Sequence, residues 1–176
     1  MAPPREAEMT RSAQYCPQCG ARLRLIERFG KLRPVCSRCD HTVFFDPKVA
    51  AVAFVETDER VLLVKRANEP GKGRWALPAG FVDPEEDPRS AAERETLEET
   101  GIAVQAFDLL AVLHRPDADG LADIVIVYRA RVIGGALCAN DDADEVGWFS
   151  RDSLPEIALA STQMLIDRWR NSDSLH

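Results

Sequence analysis

The 176-residue chain has no long hydrophobic run. Its longest, Val49 to Val55, spans seven residues, well short of the roughly 20 that a membrane-spanning helix needs. The opening Met1-Ala-Pro-Pro-Arg-Glu-Ala-Glu has no apolar core of the kind that directs secretion. The expected location is therefore the cytoplasm, where thiols stay reduced. Glycine (10) and proline (11) are too few for a collagenous or low-complexity chain, and 45% hydrophobic with 29% charged residues is ordinary for a globular one. An excess of positive charge is also missing. With 22 Lys+Arg against 29 Asp+Glu the net charge is −7, which argues against simple coating of nucleic acid or of an anionic membrane.

What is present is unevenly placed. Residues 1–48 carry +4 and residues 49–176 carry −11, and four of the five cysteines lie in the basic segment. Two unlike parts are expected to join near Asp46-Pro47-Lys48: a disordered tail over 1–13 and a small module over 14–46, followed by a larger domain over 47–176. The cysteines read Cys16-Pro-Gln-Cys19-Gly and Cys36-Ser-Arg-Cys39-Asp. Two C-x-x-C pairs at this spacing fit a tetrahedral four-thiolate zinc site with Zn–S of about 2.3 Å. Each pair needs a tight turn, and Gly20 and Asp40 follow the pairs as residues that tolerate positive φ. Between the pairs, Leu23–Phe29 and Leu32–Val35 read as two short strands around Gly30-Lys31. Two disulfides or a redox dithiol are the alternatives, and a reducing compartment disfavours the first. The segment resembles a zinc ribbon, with structural Zn²⁺ stapling a module too small to build a sufficient core. His41 is expected at the surface, and the lone Cys138 reads as a buried small hydrophobe. Six basic residues (Arg22, Arg24, Arg28, Lys31, Arg33 and Arg38) accompany the cysteines, but Phe29 is the only aromatic between the pairs. Without a stacking ladder, nucleic acid is not the expected partner.

From Lys48 the pattern changes. Val49–Val55 and Val61–Val64, split by Glu56–Arg60, read as a buried hairpin. A basic loop rich in breakers, Lys65–Trp75, leads to the extended Ala76-Leu-Pro-Ala-Gly80-Phe-Val-Asp. The next segment, Asp87 to Gly101, carries helix punctuation at both ends: Asp87 as N-cap, Pro88 at the first helical position and Gly101 just past the end. Glu95, Glu98 and Glu99 are spaced i, i+3 and i+4, so their carboxylates share one helix face, where like charges cost a few tenths of a kcal/mol per pair. Arg94 can pair with Glu98 and leaves two carboxylates. A solvated acidic face is one reading; a hard divalent cation, Mg²⁺ or Mn²⁺, is the other. Strands are expected within Val104–His114 and over Ile124–Val132, and a helix over Ser161–Arg170 with Met164, Leu165 and Trp169 in the core.

Read with its flanks, this helix decides between those readings. Gly80, five residues, Glu86, seven residues, then Arg94-Glu95-Thr96-Leu97-Glu98-Glu99-Thr100-Gly101-Ile102 resembles the signature of the Nudix hydrolase family over 23 positions. All seven of its fixed residues are present, and Thr96 stands where the family has a bulky apolar residue. The surrounding order of hairpin, loop, turn, helix and strands, from about Pro47 to Arg170, is similar to a whole Nudix domain. The resemblance implies an α+β fold, an α/β/α sandwich with a mixed sheet, behind a small zinc ribbon. It implies metal-dependent cleavage of a nucleoside diphosphate linked to a moiety X, a small-molecule nucleotide partner, and the homodimers many relatives form. Carried over by position, Glu95, Glu98, Glu99 and the Ala79 carbonyl become ligands for Mg²⁺ or Mn²⁺, and Gly80, Glu86 and Arg94 shape and orient that site. The base that activates water is expected among Glu98, Glu99, Asp142 and Glu145. Lys65, Arg66, Arg74 and Arg115 are candidates for phosphate contact, with surface solvation as the alternative. Trp75 and Phe81 read first as packing aromatics and second as base-stacking ones.

For X, the stretch Leu113–Gly120 stands where NADH pyrophosphatases have Ser-Gln-Pro-Trp-Pro-Phe-Pro, so NADH is not expected. Pro116 lies where ADP-ribose pyrophosphatases tend to have a proline. The expected substrate is ADP-ribose, FAD or a similar ADP-X, with AMP released. The alternatives are a house-cleaning nucleoside triphosphate pyrophosphatase, or a nucleic-acid-binding regulator with a Nudix sensor domain.

Overall fold

The computed structural model describes residues 12–114, 122–140 and 142–171. Arg115, Pro116 and most of the expected N-terminal tail lie outside these. The chain divides into two compact units, one ending at Asp46 and the other beginning at Pro47.

The first unit is an antiparallel pair, β1 (Leu23–Arg28) and β2 (Lys31–Cys36), closed by Phe29 (φ 54°) and Gly30 (φ 72°). Two consecutive left-handed residues give the turn whose twist matches that of the strands. The turns at the two cysteine pairs form as their sequences require. Gly20 (φ 71°) and Asp40 (φ 59°) are left-handed, and their N–H groups donate to the Cys16 and Cys36 carbonyls at 2.9 and 3.1 Å.

The second unit contains β3 (Val49–Thr57), β4 (Arg60–Arg66), β5 (Trp75–Ala76), β6 (Ala79–Phe81), α1 (Pro88–Thr100), β7 (Ile102–His114), β8 (Ile124–Gly135), β9 (Ala143–Ser150) and α2 (Ala160–Asn171). The sheet is mixed: β3 runs parallel to β8, and the other pairings are antiparallel. The expected hairpin of β3 and β4 pairs only at its tip, Glu56 with Val61 and Thr57 with Arg60. Beyond the tip β3 turns to β6 and β8 while β4 turns to β5 and β9. Both strands are apolar on both faces, so their residues suit several neighbours equally.

Residue parity on β3 assigns the two helices to opposite sheet faces. Ala51, Ala53 and Val55 pack with Ala91 and Ala92 of α1, Leu62 and Val104. Val52 and Phe54 pack with Leu165, Ile166 and Trp169 of α2, Leu63 and Val127. Because strand side chains alternate between faces, this makes the three-layer α/β/α sandwich. On α2 the buried residues Thr162, Leu165, Ile166 and Trp169 keep strict helical spacing. Met164, expected in the core, falls outside that stripe and is exposed. Cys138 is also exposed, not buried, because it follows the end of β8 in a segment whose side chains face outward. No described helix is long and apolar enough to cross a membrane.

Candidate active site

The acidic helix α1 is capped at both ends as its sequence dictates. The Asp87 carboxylate accepts from the Arg89 N–H at 2.8 Å, and Gly101 (φ 69°) donates its N–H to the Leu97 carbonyl. Ala91 and Ala92 let the helix approach the sheet closely. Thr96 is fully buried, and its hydroxyl donates back to the Ala92 carbonyl at 2.7 Å, so no polar group is stranded. This placement sets Glu95 against Gly80 and Glu99 against Ala79 of β6.

The approach is close enough to require glycine at 80. A Cβ there would stand 1.9 Å from Cδ of Glu95 and 2.0 Å from its Oε1. Glu99 is 7% exposed, and its Oε2 accepts the Ala79 N–H at 3.0 Å. Burial pushes its carboxyl up to about 8; the neighbouring Glu95 and Asp142 add to the rise, and the Ala79 N–H and Arg66 oppose it.

Arg94 does more than pair with Glu98. Its guanidinium donates to both oxygens of Glu86 at 2.8 and 2.9 Å, to Glu95 at 2.8 Å, to Glu98 at 2.9 Å and to the Phe81 carbonyl at 3.2 Å. Arg94 and the Asp83 N–H hold Glu86 down at about 2. Glu86, far from the box glutamates in sequence, is thereby tied through Arg94 to two of them.

These groups open on a cleft of about 390 Å³, within the usual range for small-ligand sites. Gly80, Glu95, Glu98 and Glu99 line it together with Arg66, Asn68 and Asp142. Val52, Val64, Leu77 and Val125 supply apolar surface, and Ser161 and Thr162 come from the start of α2. Asn68 donates to Asp142 at 2.8 Å, and Arg66 donates to the Pro70 carbonyl at 2.8 Å. Of the candidate bases, Glu98, Glu99 and Asp142 share the cleft. Glu145 lies on β9 opposite Lys65 of β4 and is salt-bridged to it at 2.6 Å; neither lines the cleft. Arg74 is likewise outside it, 3.8 Å from Glu156. Trp75 packs edge-on against Phe149 at 4.6 Å in the core, whereas Phe81 is half exposed at the cleft with Lys48 5.3 Å from its ring. Asn68, Ser161 and Thr162 were not legible as site residues: each is a common polar type in a loop or at a helix start, and only the fold brings them here.

Glu95, Glu98, Glu99, Asp142 and the Ala79 carbonyl are oxygen donors of the kind a hard divalent cation takes, although their oxygens are not drawn together as the cysteine sulfurs are. In the first unit, the four cysteine sulfurs lie within 4.8 Å of one another, the one such cluster among the described residues. Sγ–Sγ distances are 3.6 Å for Cys16–Cys39 and 3.5 Å for Cys19–Cys36, close to the roughly 3.8 Å edge of a tetrahedron with 2.3 Å Zn–S bonds. The N–H groups of Cys39 and Arg38 hold the Cys36 thiol down at about 6. Against the His41 N–H, the neighbouring Cys19 and Cys36 push Cys39 up to about 12. One thiolate thus resists the next, a repulsion that a divalent ion removes.

The NUDIX domain model matches residues 45–168. The chain belongs to the Nudix hydrolase family. It is a nucleoside diphosphate-X pyrophosphohydrolase, a class that uses divalent metals such as Mg²⁺ or Mn²⁺. An ADP-ribose pyrophosphatase of Methanocaldococcus jannaschii is 40% identical over 134 residues, which is 74% of this chain and 79% of that protein. A Mus musculus 8-oxo-dGDP phosphatase is 36% identical over 61% of this chain but only 33% of its own length. Among solved structures, a Nudix hydrolase from Nitrosomonas europaea superposes with a TM-score of 0.84 at 30% identity, covering 92% of each chain. A match that long extends beyond the Nudix domain into the cysteine-bearing unit.

Proposed function

We propose that this enzyme hydrolyses the pyrophosphate bond of ADP-ribose, FAD or a similar ADP-X, releasing AMP. The catalytic domain is 47–176 and the zinc-stapled module 14–46, acting in the cytoplasm. The observation that carries the reaction is that Glu95, Glu98, Glu99 and Asp142 line one cleft together with Arg66. The ADP-ribose pyrophosphatase relative, at 40% identity over most of both chains, supports the substrate.

When bound, divalent ions neutralise the anhydride's charge and lower the pKa of a coordinated water. The chain's own residues do the rest. Glu95, Glu98, Glu99 and the Ala79 carbonyl hold the ions, and Gly80 leaves room for the Glu95 carboxylate. Glu86 and Arg94 fix the rotamers of Glu95 and Glu98. Arg66 and, from outside the described residues, Arg115 neutralise phosphate oxygens. Asp142, held by the Asn68 amide, takes the proton from the attacking water. Glu98 and Glu99 share the same cleft and are the other candidates for that role. Phe81 presents a ring for the base or ribose. Glu145 and Arg74, engaged with Lys65 and Glu156, have no part in this step. Four thiolates hold Zn²⁺ in the first unit.

The 8-oxo-dGDP phosphatase relative supports a second reading, in which a nucleotide with an altered base is the substrate. Comparing kcat/KM across ADP-ribose, FAD, NADH, ADP-glucose, dNTPs and 8-oxo-dGDP with Mg²⁺ separates the two. An ADP-X is expected to rank first, with AMP as product. An 8-oxo nucleotide ranking first by tenfold or more would replace it.

A further inference from the structure

The cysteine-bearing unit carries a feature that phosphoanhydride hydrolysis does not use. Opposed residues of an antiparallel pair share a face, so the β1–β2 register divides this hairpin cleanly. Arg24, Ile26 and Arg28 face the same way as Val35, Arg33 and Lys31, while Leu23, Leu25 and Glu27 share the other face with Cys36, Pro34 and Leu32. Four of the six basic residues around the cysteines thus lie on one side, and the strands' single acid, Glu27, lies on the other. Arg28 is committed within the unit, to Asp40 and to Thr42 at 3.3 Å. Arg24 and Lys31 are exposed.

Arg33 is stacked over the Phe44 ring at 4.8 Å, and Phe44 stacks on Phe29 with centroids 6.1 Å apart and 28° between the planes. Phe29 is 76% exposed and Phe44 52%. A cation, a ring and a second ring form a short stack whose outermost member offers a bare aromatic face. Phe44 follows the second cysteine pair in sequence, so counting aromatics between the pairs misses it. Four thiolates around a divalent ion contribute −2, so net charge alone would not predict anion binding; the sorting of charge onto one face does.

We propose that this face binds single-stranded nucleic acid, a base stacking on Phe29 while Arg24 and Lys31 contact flanking phosphates. The charge is complementary to a phosphodiester backbone, and a stacking platform beside it suits unpaired bases and not a duplex, whose bases are already stacked. A purely acidic protein would use the cations but not the ring.

The test is fluorescence anisotropy of the full chain with labelled 12-mers of single-stranded uridine RNA and of duplex RNA. Single strands are expected to bind at least tenfold more tightly than duplex, with log Kd rising with log salt. Phe29→Leu should weaken single-strand binding by about tenfold and Lys31→Ala should lower the salt slope by roughly 0.7. Both should leave Mg²⁺-dependent AMP release unchanged, and retention of about one zinc per chain reports that the cysteine-bearing unit of each variant is folded. Absence of binding at 100 mM salt and about 100 µM protein, equal affinity for duplex, or indifference to Phe29→Leu would each overturn the proposal.

Discussion

Gly80→Ala separates the metal site from the fold more sharply than replacing a ligand does. The backbone at 80 is not left-handed, so alanine brings no torsional strain of its own. Its Cβ, however, would stand 1.9 Å from Glu95 Cδ, against the roughly 3.5 Å of a normal carbon contact. The carboxylate must therefore retreat by about 1.5 Å. Because it ends a flexible side chain, it can do so without moving the sheet, at the expense of its place among the ligands and its 2.8 Å bond to Arg94. Misplacing a catalytic group by about 1 Å costs on the order of 100-fold. The expectation is a fall in kcat of about 100-fold or more, with Mg²⁺ half-saturation shifted upward and Tm within about 4 °C of wild type. Steady-state AMP release over a Mg²⁺ series and thermal unfolding of the metal-free protein supply the two readouts. Activity within threefold of wild type would refute the steric reasoning. So would loss of activity accompanied by a collapse of Tm, because the clash would then be structural.

Glu98→Gln and Glu99→Gln should each lower turnover by two or more orders of magnitude with the fold retained by circular dichroism; near-full activity in both would remove them from the mechanism. Asp142→Asn should depress kcat and change its pH profile, whereas Glu145→Gln, outside the cleft, should leave both near wild type. In the metal-free protein, Glu99 with its carboxyl raised to about 8 means that the folded state holds a proton that the unfolded state has already lost above its ordinary range. Stability should therefore fall as pH rises from about 4.5 to 8. Glu86, held at about 2, works in the opposite sense and stabilises above its ordinary range, a contribution lost as pH falls from about 4.5 toward 2. Urea unfolding across pH with and without Mg²⁺ checks both, since Mg²⁺ should remove the loss on the alkaline side. Metal analysis should find about one zinc per chain, and its chelation should unfold the first unit while AMP release persists.

Local chemistry made part of this molecule legible in advance. Asp87, Pro88 and Gly101 mark the ends of α1 because capping depends on a few adjacent residues. Gly20 and Asp40 announce left-handed turns for the same reason. The i, i+3, i+4 spacing of the glutamates fixes their common face without any knowledge of what they face. Tertiary information was less accessible. Nothing in Val49–Val55 or Val61–Val64 says that the strands part beyond their tip, since uniformly apolar residues accept any neighbour. Residue type points to burial for Cys138 and Met164, but the end of β8 and the phase of α2 leave both exposed. Glu145 reads as a loop acid but is carried by β9 onto Lys65, while Asp142, three residues earlier, remains in the cleft. Arg94 is legible as a partner of Glu98 through helix geometry; its link to Glu86 requires the turn between Gly80 and Asp87 to fold back over α1.

The most direct measurement of the central claim is ³¹P NMR of ADP-ribose incubated with the wild-type enzyme and Mg²⁺. The expected result is replacement of the diphosphate resonances by those of AMP and ribose 5-phosphate in equal amounts, stopped by EDTA. An unchanged diphosphate after extended incubation with Mg²⁺ or Mn²⁺, under conditions where a nucleoside triphosphate or an 8-oxo nucleotide is consumed, would contradict it.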